Sequence, residues 1–266
     1  MKFRIFVIFV IILTHEFSCT PSQPQLAVKK LVFAEELLAK GDTANCLLHL
    51  DSISVLYPEA YSEGRTALQI SNRIYISQLM KQRVNLTGLN LMIDSVMKEF
   101  SPQKGEFDRY TSYINKLNII DNSRYRSFVQ AYLNEKGDLT LVSNYYGSQW
   151  LNHTSLKVES DGVVVKTDSV PLNHVDNFHS DFNGSKWEKV TYRGNFAEAV
   201  IGLIASNADK KLKCVFQGKT SYPIWLEEAD KKAIMAAYNL AGILKIKTAL
   251  EKNVSALEKK IKSEEQ

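Results

Sequence analysis

The sequence predicts an α+β protein in which an N-terminal helical hairpin and long antiparallel coiled-coil helices enclose an inserted antiparallel β-rich domain with one helix. Two apolar stripes of heptad spacing near the two ends of the chain predict the helices. A middle region of short Val-, Tyr-, Phe- and Thr-rich runs separated by turn signals predicts the sheet. The composition suits a folded protein: 45% of the 266 residues are hydrophobic and 23% charged, with 12 Gly and 6 Pro, which excludes a disordered chain, a collagen-like repeat and a multi-spanning membrane protein. A net charge of +4, spread along the chain, is too mild to indicate nucleic acid as a partner.

At the N-terminus, Lys2 and Arg4 precede nine uninterrupted apolar residues, Ile5 to Leu13, and a polar stretch ends at Phe17-Ser18-Cys19. So short a run falls well below the ~20 residues that cross a bilayer, so residues 1–18 read as an export signal. With a cysteine at the cleavage point, this N-terminus resembles those of bacterial lipoproteins. Its loose form, with Ser18 before Cys19 but Glu16 where Leu is usual, resembles the lipoproteins of Bacteroidota. That resemblance implies cleavage before Cys19, acylation of its thiol, and attachment to the membrane through the lipid. Several acyl chains hold firmly, because each buried CH₂ contributes ~0.8 kcal/mol. Residues 19–25 then form the lipidated end and a Pro-punctuated polar spacer. The spacer lacks the acidic run that directs such lipoproteins to the cell exterior, so the resemblance implies a periplasm-facing position, on the outer membrane.

Residues 26–104 are expected to hold the hairpin and the first long helix. Leu26 to Lys40 is followed by a Gly41-Asp42 break with Asp42 as N-cap, then Thr43 to Tyr57, stopped by Pro58. The pattern Leu37-Leu38-Ala39-Lys40-Gly41-Asp42, Cys46, Leu50, Ile53, Tyr57-Pro58 resembles one tetratricopeptide-type unit, with no second copy 34 residues away. One such unit cannot bury its own apolar face and needs a partner elsewhere in the chain. From Leu68, alternating steps of four and three place Leu68, Asn72, Tyr75, Leu79, Gln82, Leu86, Leu89, Ile93, Val96 and Phe100 on one stripe, eight of the ten apolar. Residues 227–266 repeat the spacing with Ala236, Leu240, Ile243, Lys247, Leu250, Val254, Leu257 and Ile261. An antiparallel pair within one chain covers both stripes and predicts a monomer with a stalk ~50 Å long; a parallel homodimer through each helix is the competing arrangement.

Residues 105–226 carry the strand-like runs Tyr125 to Leu133, Leu139 to Tyr146, Leu156 to Glu159, Val163 to Thr167, Lys189 to Tyr192, Leu212 to Phe216 and Thr220 to Trp225. Asp161-Gly162 is a hairpin marker. One helix, Phe196 to Ser206 with Asn195 as cap, interrupts them, giving an antiparallel sheet or small sandwich with one packed helix. Cys46 and Cys214 both fall in apolar contexts and are expected to be buried small hydrophobes rather than a disulfide.

No catalytic motif stands out. His153, His174, His179 and Asp181 lack the helix-borne spacing that makes a zinc site recognisable, and His174 to Asp181 reads as a polar loop. Asp181 to Ser185 has only part of a calcium loop, so neither a metal nor another cofactor is expected. There is no Gly-x-Ser-x-Gly turn and no Gly-rich phosphate loop. Tyr145-Tyr146-Gly147-Ser148-Gln149-Trp150 with His153 has the composition of a recognition surface, and Tyr146, Trp150 and His153 form the candidate binding patch. Tyr145 and Tyr146 must face opposite sides of a continuing strand, and at least one of Trp187 and Trp225 is expected to fill the sheet core. The chain as a whole resembles the small lipoproteins common in Bacteroidota. Its expected function is that of an anchored interaction or scaffold protein whose β-rich domain recognises an envelope protein. A glycan-binding lipoprotein is the alternative, and an envelope hydrolase the third reading.

Overall fold

The computed structural model describes residues 21–106, 109–119 and 125–264. The expected signal segment 1–18 and Cys19 lie outside the described residues. The chain is mixed α+β, and it separates into two compact units, Met1–Leu79 with Leu257–Gln266, and Met80–Ala256.

The first unit holds α1 (Gln23–Ala39), α2 (Thr43–Leu56) and the beginning of α3 (Tyr61–Met97). Ser22 and Gln25 close a capping box at the start of α1. Gly41, at φ 80°, turns the chain after it. Asp42 caps α2 by accepting from the Asn45 backbone N–H at 3.3 Å. Ala27 and Ala34 of α1 meet Cys46, Leu50 and Ile53 of α2 in one buried cluster, which Ala67, Ile70 and Ile74 of α3 complete. The hairpin's missing partner is therefore the first turns of the long helix. Near the other end of the chain, Lys260 of α5 (Glu228–Glu264) places Nζ 5.0 Å from the Tyr75 ring centroid.

The second unit contains two antiparallel sheets. One has six strands: β1 (Phe100–Gln103), β2 (Ser112–Asn115), β3 (Phe128–Asn134), β4 (Leu139–Gly147), β7 (Asn177–Phe182) and β8 (Ser185–Tyr192), in the order β1-β2-β3-β4-β8-β7. The other comprises β5 (Ser155–Ser160), β6 (Val163–Lys166), β9 (Lys213–Gln217) and β10 (Ser221–Trp225), in the order β10-β9-β5-β6. The register pairs Leu141 with Tyr192, Ser143 with Val190 and Tyr145 with Glu188, so these six share one face of the larger sheet. That face is the inner one. Val129, Ala131, Leu133, Leu141, Val190 and Tyr192 join Leu156, Val158, Cys214 and Phe216 of the smaller sheet. The same core takes in Val200, Ile201 and Ile204 of α4 (Asn195–Ser206), Ile93 of α3, and Ile234, Ala237, Leu240 and Ala241 of α5. The turn between β3 and β4 closes against α5. Gly137 sits there at φ 81°, and a Cβ in its place would meet the Ala241 carbonyl. By length and a mean hydropathy of 1.2, α5 also meets the measure for a bilayer span, yet its apolar residues Ile234, Ala237 and Leu240 fill this core.

Several details differ from the sequence reading. The first long helix begins at Tyr61 rather than Leu68 and stops at Met97, so Phe100 opens a strand and enters the core. Strands β1 and β2 carry no alternating pattern long enough to be read. The segment around His179, expected as a polar loop, is strand β7. Asn183 and Gly184, at φ 50° and 81°, join β7 to β8 as a tight hairpin, so the Asp181 to Ser185 segment is a turn. Helix α4 is capped by Gly194, with Asn195 its first residue. Cys46 and Cys214 are buried and free. Neither tryptophan expected to fill the core is buried: Trp187 is half-buried and Trp225 is exposed.

Candidate functional site

The three residues of the sequence-derived patch occupy three environments. Tyr146 lies on the outer face of the six-stranded sheet, its ring 5.7 Å from that of Tyr125 and its hydroxyl donating to Ser185 Oγ at 2.9 Å. Trp150 is 38% exposed and packs with Lys186 and His179, both at 5.2 Å. Those two alternate with Trp187 and Phe178 in register and so face the inner side. His153 is fully buried in the core.

Around His153 the fold assembles a polar chain. Its Nδ1 lies 2.7 Å from Glu188 Oε2, and its Nε2 lies 2.8 Å from Ser143 Oγ, which is in turn 3.2 Å from the Tyr192 hydroxyl. The Glu188 carboxylate also accepts the backbone N–H of Asn152 at 2.7 Å and of His153 at 2.9 Å. Burial pulls the His153 imidazole below its ordinary value, outweighing the carboxylate beside it. Burial alone would raise Glu188, but the hydrogen bonds from His153 and the two backbone amides together hold it below the usual carboxylate range. The consistent assignment is a neutral imidazole that donates from Nδ1 to an ionised Glu188 and accepts at Nε2 from Ser143, with Tyr192 donating to Ser143.

The order Ser143–His153–Glu188 is that of a hydrolytic triad, but its setting is different. All three side chains are fully buried, Phe216 packs 5.2 Å from the imidazole, and the Tyr192 hydroxyl occupies the remaining side of Ser143 Oγ. A nucleophile needs a reacting carbonyl ~3 Å away, and here that space is core. The chain fastens the loop before β5 to the sheet.

The opposite face is open in part: Phe128, Gln130, Val142 and Asn144 on it are buried, whereas its other end borders cavities. A cavity of about 570 Å³ lies over it, floored by Tyr132, Thr140, Val142, Lys189 and Thr191 and edged by Lys104, Arg109 and Arg193. A second, of about 350 Å³, shares Lys189 and Thr191 and adds Phe178, Trp187, Val175 and Asp176. Arg193 is paired with Asp176 at 2.5 Å. Lys189 is half-buried, burial alone moves its ammonium below the ordinary value, and among the described residues no side chain pairs with it. A third cavity, in the first unit, is lined by residues of all three helices there, Leu38, Ile70 and Arg73 among them.

No protein-family model matches the chain, and no curated protein or solved structure matches it either.

The buried chain could not be read as a unit, because its members are separated by 10 and 35 residues. One signal was present: Ser143 and Glu188 fall at apolar register positions, among Leu141, Tyr145, Val190 and Tyr192. Lys189 and Trp187 gave no signal, since an exposed strand face normally alternates such residues with apolar ones. No group of three or more metal-ligating side chains forms among the described residues.

Proposed function

We propose that the protein is a lipid-anchored envelope lipoprotein that works by binding, with the β-rich part as its recognition module. The observation carrying this reading is the outer face of the six-stranded sheet. It combines two adjoining cavities, a half-buried cation with no side-chain partner among the described residues, and aromatic walls, while on the inner face Ser143, His153 and Glu188 bond one another. Concave sites with a few convergent polar groups suit compact ligands, so a glycan-sized occupant is favoured over a flat protein surface. A hydrolase is disfavoured by the sealed position of Ser143.

The anchor is Cys19, facing the periplasm. The stripes on α3 and α5 are proposed to pair antiparallel within one chain, a reading supported by Leu89, Ile93 and Val96 sharing a core with Leu240 and Ile243, and by Lys260 lying over Tyr75. Light scattering should then give a monomer for the lipid-free protein, and Leu89→Asp should unfold it more readily than Lys252→Ala. A dimer that dissociates on Leu250→Asp would support the intermolecular alternative.

A photo-crosslinking amino acid placed in cells at Phe178, 57% exposed beside the cavities, and separately at Val164, 51% exposed on β6, tests the recognition face. Adducts should form at Phe178 alone. A protease-resistant, carbohydrate-positive adduct fits the glycan reading and a protease-sensitive one a protein partner. Adducts only at Val164, or at neither position, would contradict the proposal. Mass spectrometry of the detergent-extracted protein tests the anchor: a mature chain beginning elsewhere than an acylated Cys19 would refute it.

A further inference from the structure

The ligand of the outer face can be specified by charge. Along β8, Ser185, Trp187, Lys189 and Thr191 alternate to the outer side. Lys189 and Thr191 line both cavities, so the two meet at the lysine. On one side of it lie Lys104, Arg109 and Arg193, with Asp138 the acidic residue of that lining. On the other lie the rings of Trp187 and Phe178, with Asp176 the acidic residue of that lining. Arg193 already has Asp176 as counter-ion at 2.5 Å, and Asp138 is held by Asn134, whose amide donates to it at 2.9 Å. Each of these two carboxylates thus has a partner, whereas among the described residues no side chain pairs with the ammonium of Lys189.

Half-burying an ammonium without a partner costs free energy, and burial depresses its ionisation accordingly. Evolution tolerates such a group where it meets a ligand, and the same residue then lowers stability while serving binding. Resting on the recognition reading above, we infer that the joined cavities bind an acidic saccharide. Its carboxylate or phosphate sits on Lys189, with Arg109 and Lys104 at the rim, and the apolar face of its ring lies against Trp187 and Phe178. Thr140 and Thr191 supply hydroxyls from the sheet floor. Tyr132, whose hydroxyl donates to Gln130 Oε1 at 3.4 Å, belongs to the same floor. The aromatic slot orients the ring and the cation fixes the charged end, so both halves of the ligand are required.

The test uses the full mature chain with Trp150→Phe and Trp225→Phe, which leaves Trp187 as the sole indole. Digalacturonic acid and glucose 6-phosphate are titrated as acidic probes, with cellobiose and inorganic phosphate as controls. At least one acidic probe should change Trp187 fluorescence saturably, with affinity that falls as salt rises. The other acidic probe identifies whether carboxylate or phosphate is preferred. Lys189→Met should weaken binding at least about tenfold, the loss of one charge-assisted hydrogen bond, and Lys189→Arg should retain most of it. Lys189→Met should also melt about 1–3 °C higher, since an uncompensated cation leaves the fold. That second reading separates a ligand-holding lysine from a structural one, whose removal would lower the melting temperature.

Equal binding of cellobiose would overturn the role of charge. Equal binding of inorganic phosphate would overturn the role of the ring slot. No response to either acidic probe would overturn the assignment, while the photo-crosslinks at Phe178 would still report on the recognition reading independently. Unchanged affinity in Lys189→Met, with a lowered melting temperature, would make the lysine a structural residue and refute the inference.

Discussion

The inner face of the six-stranded sheet and the cavity-bordered part of its outer face carry similar residue types and use them in opposite ways. On the inner face, Ser143, Glu188 and Tyr192 converge with His153, and every hydrogen of the chain has an acceptor within 3.2 Å. On the outer face, Lys189 lies one residue along from Glu188, half-buried and without a side-chain partner among the described residues, beside two cavities. A polar group in the core is tolerated when its partners are complete; one left incomplete at an open surface is available to a ligand. The completeness of the network, rather than the identity of the residues, separates support from recognition.

The largest effect expected from breaking this contrast is at Glu188. Glu188→Ala strands the His153 Nδ1–H and two backbone amides in the core, and should cost about 3–5 kcal/mol in denaturant unfolding. A cost below 1 kcal/mol would mean the chain contributes little support. Ser143→Ala is milder: it leaves the His153 Nε2 and the Tyr192 hydroxyl without their shared partner, and should cost about 1–3 kcal/mol. It should leave any esterase activity toward a nitrophenyl ester unchanged, and a serine-specific fluorophosphonate should not label wild-type Ser143. Labelling there would restore the hydrolase reading.

Acid should act on the inner face of the sheet. His153 and Glu188 are both held below their ordinary values of 6.5 and 4.5. The unfolded chain therefore takes up protons at a higher pH than the folded one, and the stability both groups supply is present above those values. Melting temperature should fall as pH drops through 6.5, as His153 protonates in the unfolded state, and fall further below 4.5. Glu188→Gln should flatten the lower part of that profile; an unchanged profile would mean that other groups set it. The smallest effect is expected outside: Thr140→Ala, on the cavity floor, should shift stability by no more than about 0.5 kcal/mol.

Much of the fold was legible because periodicity is local. The Gly41-Asp42 break, the stripes on the long helices and the Asp161-Gly162 turn each declare themselves within a few residues. Strand β7 was missed because its residues, Asn177 to Phe182, alternate too weakly, although the Asn183-Gly184 pair marks its hairpin. The binding patch was misjudged for a physical reason. Tyr146, Trp150 and His153 are neighbours in sequence, but the strand ends at Gly147, and the chain then carries Trp150 round to the other side and His153 into the core. Trp187 and Lys189, which meet at the cavities, are two residues apart on an ordinary-looking strand, and only the register shows what they border.

The central claim, that one face supports and the other binds, is tested most directly by methyl NMR of the intact mature chain during titration with digalacturonic acid or glucose 6-phosphate. The methyls of Thr140, Val142 and Thr191 report the outer face, and those of Leu139, Leu141 and Val190 the inner one. The account predicts saturable shifts of the outer set with the inner set unmoved. Shifts of the inner methyls, or of neither set with both ligands, would contradict it.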